Sequence, residues 1–297
     1  MKIIDRFLIF LSFFISITSI VNVVYVDFFL EKKIKATNET MFTYILSNKI
    51  DEPKLRPLDL FSRRPTQTVP KLSAHPGDVA LGSAFKVSNN IWFTARHVVD
   101  GCKKVFLNKN FNDEQDFGKL LEMIYIHPAS DLAAFVYNNS APSFTIPTLE
   151  DDESSKSLLR TKAYTAGYPV GEPGNLYVKY LGKAALSNNN YDILEPIFVW
   201  TVSKKFPENL TTVGGISGSP MFNSESRLVG VTIAEMVRRG TVSSADLYSI
   251  NWLLKAMEKI SVKDQNKINK EFTSKKMTEL SDVLRNDKSI VQLICEM

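Results

Sequence analysis

The chain has 297 residues, of which 44% are hydrophobic and 23% charged, enough for one large globular domain or two small ones. A net charge of +4, with lysines dispersed or gathered toward the C-terminus, argues against a nucleic-acid partner and for a solvated basic tail. Cys102 and Cys295 form no C-x-x-C and stand beside no histidine pair, so neither a metal nor a cofactor is expected. Two cysteines fix neither a disulfide nor a redox compartment.

Phe7 to Val26 is a run without a charge, long enough to span a bilayer as one helix. Its exit, Val24-Tyr25-Val26-Asp27-Phe28, lacks the small residues of a signal-peptide cleavage site, so an uncleaved anchor over residues 1–30 is expected. Lysines flank both sides and leave its orientation open. Residues 31–76 read as a stalk, because Pro53, Pro57, Pro65 and Pro70 recur among polar residues.

From 77 to 258 the texture is that of one domain. Short β-like runs come first: Ala80 to Val87, Ile91 to Thr94, Lys104 to Leu107, Leu120 to Ile126 and Leu132 to Tyr137. After the acidic Glu150 to Glu153 follow Thr161 to Ala166, Leu176 to Leu181, Ile197 to Val202, Met221 to Phe222 and Leu228 to Ala234. Many short strands of this kind predict an all-β body of barrels or a sandwich. Leu247, Ile250, Leu253, Leu254 and Met257 then form an amphipathic helical stripe. Residues 259–297 are expected to be a lysine-rich helical tail, with Leu280, Val283 and Leu284 as its apolar face.

The chemistry centres on Gly215-Ile216-Ser217-Gly218-Ser219-Pro220. Gly, Ser and Pro are also common turn residues, so the run needs partners to mean more than a turn. A serine hydroxyl becomes a nucleophile only with a base to take its proton and donors to receive the developing oxyanion. Of the three histidines, His75 lies in the stalk and His127 at a strand end, both fitting surface positions. His97 directly follows an apolar strand and is the candidate base. Asp131, heading the strand that starts at Leu132, is the candidate orienting carboxylate. The order His97, Asp131, Ser217 excludes an α/β-hydrolase, since no histidine follows Ser217 and Ser219 breaks G-x-S-x-G. The subtilisin order would need Asp78 as partner and alternating strands and helices, which are missing.

Five motifs in order carry a resemblance. They are Gly82-Ser83-Ala84-Phe85, Thr94-Ala95-Arg96-His97-Val98-Val99, Ser130-Asp131-Leu132-Ala133, Ala166-Gly167-Tyr168-Pro169 and the Ser217 hexapeptide. Over roughly 78 to 257 the chain resembles the trypsin-like, chymotrypsin-fold serine peptidases, specifically bacterial forms such as the protease half of the HtrA-type proteins. The tail lacks the length and β pattern of a PDZ domain, so peptide sensing is not carried over. The resemblance implies two six-stranded antiparallel β-barrels with the site in the cleft between them. It implies His97 as base, Asp131 as orienter, Ser217 as nucleophile, and the N–H groups of Gly215 and Ser217 as the oxyanion hole. It places the floor of the specificity pocket near Thr211 and one wall at Thr232, Ile233 and Ala234, an uncharged lining that fits an apolar or small residue before the cleaved bond. Arg96, where a small residue is usual, is expected to shield the site or touch substrate.

The resulting expectation is a serine endopeptidase acting on protein or peptide substrates, tethered to a membrane, with its domain on the periplasmic side by analogy with anchored bacterial relatives. The alternative is a silent double barrel used as a binding or scaffolding module.

Overall fold

The computed structural model describes residues 42–45, 67–69, 78–107, 119–121, 123–146, 162–258, 260–261 and 266–297. The expected anchor over 1–30 lies outside these, as does His75. Among the described residues no helix is long and apolar enough to cross a membrane.

Among the described residues fifteen strands build two sheets. In chain order they begin with β1 (Phe42–Ile45), β2 (Gln67–Val69), β3 (Val79–Lys86), β4 (Ile91–Ala95), β5 (Lys104–Leu107), β6 (Lys119–Leu120), β7 (Met123–Ile126) and β8 (Leu132–Val136). The second set is β9 (Lys162–Gly167), β10 (Gly174–Asn188), β11 (Ile193–Phe206), β12 (Pro220–Phe222), β13 (Leu228–Met236) and β14 (Thr241–Ala245). The last strand is β15 (Ile290–Glu296). The α-helices among the described residues are the single turn α1 (Arg96–Val99), α2 (Leu247–Ala256) and α3 (Met277–Asn286).

The second sheet closes on itself. Its order is β11-β14-β13-β12-β9-β10, and β10 pairs back onto β11, every step antiparallel. This is the expected six-stranded antiparallel barrel, with β2 added in parallel along the end of β10. Closure removes every free strand edge from the ring.

The first sheet runs β1-β7-β8-β4-β3-β15-β5-β6. Its middle strand β4, Ile91-Trp92-Phe93-Thr94-Ala95, is buried at all five positions. A continuous apolar run of this length is what a strand covered on both faces requires. The order also corrects an expectation. The tail is helical only at α3 and then becomes β15, which enters between β3 and β5 and is buried from Ile290 to Cys295. A disulfide joins Cys295 to Cys102, just beyond α1. Lys103 Nζ donates to the Met297 carbonyl at 3.1 Å on the same edge.

The stripe that predicted a helix after 245 is buried in α2 at Leu247, Ile250 and Leu253. Asp246 caps its start, accepting from Ser249 N at 2.8 Å, an arrangement that typically stabilises a helix by about 1 kcal/mol.

Candidate active site

Register alone brings His97 and Asp131 together. Strands β4 and β8 pair antiparallel, with Ala95 opposite Leu132. The chain leaving β4 turns at once into α1, and the chain entering β8 arrives through Asp131, so both residues stand at the same end of the sheet. Arg96 N donates to the Asp131 carbonyl at 3.2 Å and pins the junction.

The Asp131 carboxylate then holds His97 twice. Oδ1 accepts from the His97 backbone N–H at 2.9 Å, and Oδ2 lies 2.7 Å from His97 Nδ1. The Asp131 side chain is 3% exposed, whereas that of His97 keeps 28% of its surface in solvent. Burial pulls the imidazole pKa down, but the Asp131 charge and hydrogen bond outweigh it, and the net shift is upward. Nδ1 being committed to Asp131, Nε2 is the nitrogen left to exchange a proton.

Ser217 lies in the loop before β12, wedged between both sheets. Gly218 N donates to Thr232 O at 2.8 Å and Thr232 N to Ser219 O at 3.0 Å, which tie the loop to β13. From the first sheet, Ser83 N donates to Ser217 O at 2.8 Å and Ser83 Oγ to Gly215 O at 3.1 Å. Ser83 Oγ also accepts from Tyr168 N at 3.0 Å. Gly218 has φ +85°, and a Cβ there would collide with Ser83 O and Thr94 Oγ1 and come within 3.0 Å of Ala95 N. The loop therefore sits against the residues that immediately precede His97, and only glycine permits that approach.

The loop peptides have a defined polarity. The Gly214 carbonyl is held by Val170 N, and the Ile216 carbonyl by Ser219 N at 3.0 Å. In a trans peptide the N–H points opposite to the C=O, so the N–H groups of Gly215 and Ser217 face away from these anchors. Among the described residues neither donates to a partner. Gly215 has φ +91°, the conformation that sets this pair. The Pro169–Gly171 turn that supplies Val170 N is itself strained, since a β-branched Val170 sits at φ 54°.

The expected specificity residues fall differently. Thr232 turns its hydroxyl to Thr165 Oγ1 at 3.4 Å and is 1% exposed, so it contributes backbone to the site. Ile233 is buried at the register shift of β13, and Ala234 follows it, half-buried. Thr211 is exposed beside the loop. Next to them is a group the sequence did not single out. Glu235 Oε2 accepts from Thr212 Oγ1 at 2.8 Å and from Val213 N at 3.0 Å, strapping β13 to the segment before Ser217.

Arg96 is occupied by one partner on its own element and one from the turn between β10 and β11. Its Nε bonds to Asp100 Oδ2 at 2.8 Å, and its guanidinium carbon lies 3.7 Å from the centre of the Tyr191 ring. His127 is no surface residue. It is fully buried, accepts from Ala129 N at 3.1 Å and packs 4.3 Å from Trp252, centroid to centroid. Burial, aided by the Arg96 charge, pushes its pKa down to about 3. Among the described residues no cluster of three or more His, Cys, Asp or Glu could hold a metal ion.

The family model of the trypsin-like peptidase domain matches residues 82–231, half of the chain and the whole stretch from the strand before His97 to the strand beyond Ser217. The chain belongs to this family. Among curated proteins it is similar to a glutamyl endopeptidase of Staphylococcus epidermidis, 25% identical over 167 residues, covering 52% of this chain and 54% of that protein. The chain thus spans about half the length of the curated relatives it matches. Among solved structures it is similar to the active form of the Rv3671c protease from M. tuberculosis, with 16% identity, 69% of this chain, 94% of that one and a TM-score of 0.44. A scabies mite inactivated protease paralogue aligns with 15% identity, 62% of this chain, 96% of that one and a TM-score of 0.43.

Proposed function

We propose that this chain is a serine endopeptidase with Ser217 as nucleophile, His97 as base and Asp131 as orienting carboxylate. The observation that carries this is the double grip of Asp131 on His97, through Nδ1 at 2.7 Å and the backbone N–H at 2.9 Å. That grip fixes the tautomer with Nε2 free. Ser217 Oγ attacks the substrate carbonyl carbon while its proton passes to His97 Nε2. The N–H groups of Gly215 and Ser217 receive the oxyanion. Its collapse breaks the C–N bond, the leaving amine takes the proton from His97, and water then hydrolyses the acyl-enzyme by the reverse transfers. Each oxyanion donor is worth roughly 2.7–4 kcal/mol in the transition state.

A fluorophosphonate probe tests the assignment. Wild type is expected to be labelled and Ser217→Ala not, with peptide turnover falling by about 10⁶. Asp131→Asn should lower turnover by about 10⁴ while leaving the fold intact. Equal labelling of Ser217→Ala would remove Ser217 from the role, and a folded wild type that is never labelled would favour the silent binding module. Because the His97 pKa is raised and its neutral form is the base, the acid limb of kcat/KM should have its midpoint above pH 6.5.

Beside the uncharged wall expected at Thr232, Ile233 and Ala234, a second reading rests on Glu235. Glu235 places a carboxylate between the two segments that flank Ser217. A carboxylate at that wall favours a cationic side chain before the cleaved bond.

The chain is further proposed to be anchored in a membrane by residues 7–26, with the peptidase domain on the extracytoplasmic side. The uncharged run supports the anchor. The Cys102–Cys295 disulfide supports the compartment, since such bonds persist where thiols are not kept reduced. Protease protection on intact spheroplasts, with the domain digested only from outside, is the expected result.

A further inference from the structure

Beside Asp131 a second carboxyl group enters from the other sheet. Glu195 lies on β11, fully buried. Its Oε2 accepts from Ser130 Oγ at 2.7 Å and from Asp131 N at 2.8 Å. Its Oε1 is buried and has no partner among the described residues. The carboxyl therefore grips the peptide that carries Asp131, while Asp131 grips His97.

The charges facing Glu195 are negative. Asp131 approaches from the turn before β8 and Asp246 from the start of α2. Tyr191, in the turn between β10 and β11, is a phenol whose own pKa is raised by burial and then by Asp131, Asp100 and Glu195. The nearby cation, Arg96 of α1, is bonded to Asp100 and stacked on Tyr191. His97 spends its Nδ1 on Asp131. An ionised Glu195 would be a buried charge with no cation paired to it among the described residues, which costs several kcal/mol. A protonated one has a carbonyl oxygen, Oε2, with two lone pairs for its two donors. It leaves only one O–H without an acceptor, costing about 1–3 kcal/mol.

We propose that Glu195 is a positioning residue for the dyad, acting as a neutral carboxyl that clamps the Ser130–Asp131 peptide, with its proton on Oε1. The inference rests on reading His97 and Asp131 as catalytic. Burial first, and then the Asp131 charge, push the group up to about 8, against the pull of its two hydrogen bonds. Loss of the proton strengthens the two hydrogen bonds but sets a second, uncompensated negative charge against Asp131, and that repulsion disturbs the Asp131 grip on His97, so the protease carries its own alkaline limit.

The test uses the full chain and the pH dependence of its inactivation by a fluorophosphonate. Wild type is expected to show a decline centred near pH 8. Glu195→Ala should slow the reaction tenfold or more at pH 7. Glu195→Gln, which rebuilds both hydrogen bonds without an ionisable proton, should restore most of that rate and abolish the alkaline decline. Persistence of the decline in Glu195→Gln, or a loss at pH 7 as deep as that of Glu195→Ala, would overturn the proposal. A second readout does not depend on activity. A carboxyl with a raised folded pKa binds more protons folded than unfolded, so its stabilising effect is full below about pH 4.5 and is lost as pH rises through 8. The urea midpoint of wild type should thus fall relative to Glu195→Gln between pH 5 and pH 8. If the wild type is not labelled but this divergence appears, the Ser217 assignment fails and the neutral clamp stands. If the two midpoints run parallel, the clamp fails whatever the labelling shows.

Discussion

The two sheets solve the same problem in different ways. The second is built from one uninterrupted stretch, β9 to β14, and closes by pairing β10 with β11. The first holds the dyad but borrows β15 from the far end of the sequence and secures it with a disulfide. The sheet that carries His97 and Asp131 is thus the one with the greater loop-closure cost, and the sheet that carries Ser217 and Glu195 is the self-sufficient one. Stability and chemistry are divided along the same line.

The largest test of that contrast is removal of the staple. The cysteines are 193 residues apart in sequence, and replacing both with alanine should lower stability by about 2–5 kcal/mol. The loss should be concentrated in the first sheet. Trp92 on β4 and Trp200 on β11 are each fully buried and report on one sheet apiece. In Cys102→Ala/Cys295→Ala, the Trp92 signal should melt at lower urea than the Trp200 signal. Coincident melting would mean that the sheets form a single cooperative unit regardless of the staple.

A smaller effect follows from His127, beside the first sheet and against α2. Its folded pKa is pushed down to about 3 while the unfolded value is near 6.5. The unfolded chain therefore binds the proton first, and stability falls as pH drops below 6.5 by up to about 1.4 kcal/mol per unit. His127→Gln should flatten this slope in urea titrations between pH 7 and pH 4.5. An unchanged slope would place the acid sensitivity elsewhere.

The smallest effect concerns the edge of the second sheet. Glu235→Gln keeps an acceptor for Thr212 and Val213 but removes the charge. A peptide library should show Lys or Arg before the cleaved bond in wild type and a several-fold weaker preference in the variant, from loss of an ion pair worth about 1 kcal/mol. A wild-type profile dominated by apolar residues would restore the uncharged wall read from Thr211 and Ile233.

Much of this architecture was legible because local signals matched it. Lys104–Leu107 is a strand at the bounds its composition gives, and β3, β4 and β8 lie within a residue or so of theirs. His97 and Asp131 were findable because each adjoins an apolar strand whose register decides the rest. The long strands β10 and β11 were read short. Leu181, exposed on the same face as Lys179 and Lys183, and the register shift near Gly182 interrupt the apolar–polar alternation that marks a half-buried strand. Serines at 243 and 244 concealed β14. The β-branched content of Ile290-Val291 and Ile294 pointed to a strand, but a lysine-rich approach made the tail look helical. Glu195 offered no local signal, since its donors lie 64 and 65 residues away. Only the meeting of two sheets gives a lone strand glutamate its role.

The place of β15 has a consequence in time. A polypeptide is made from its N-terminus, and β3 and β5 leave the ribosome long before Ile290. Their facing edges stay uncovered until the residues through Glu296 have been added. The first sheet cannot be complete on a growing chain until then, although β4 and β8, whose register sets His97 against Asp131, are made well before. The order in which the strands are delivered thus leaves the closing of the gap between β3 and β5, and not the register that sets His97 against Asp131, to β15.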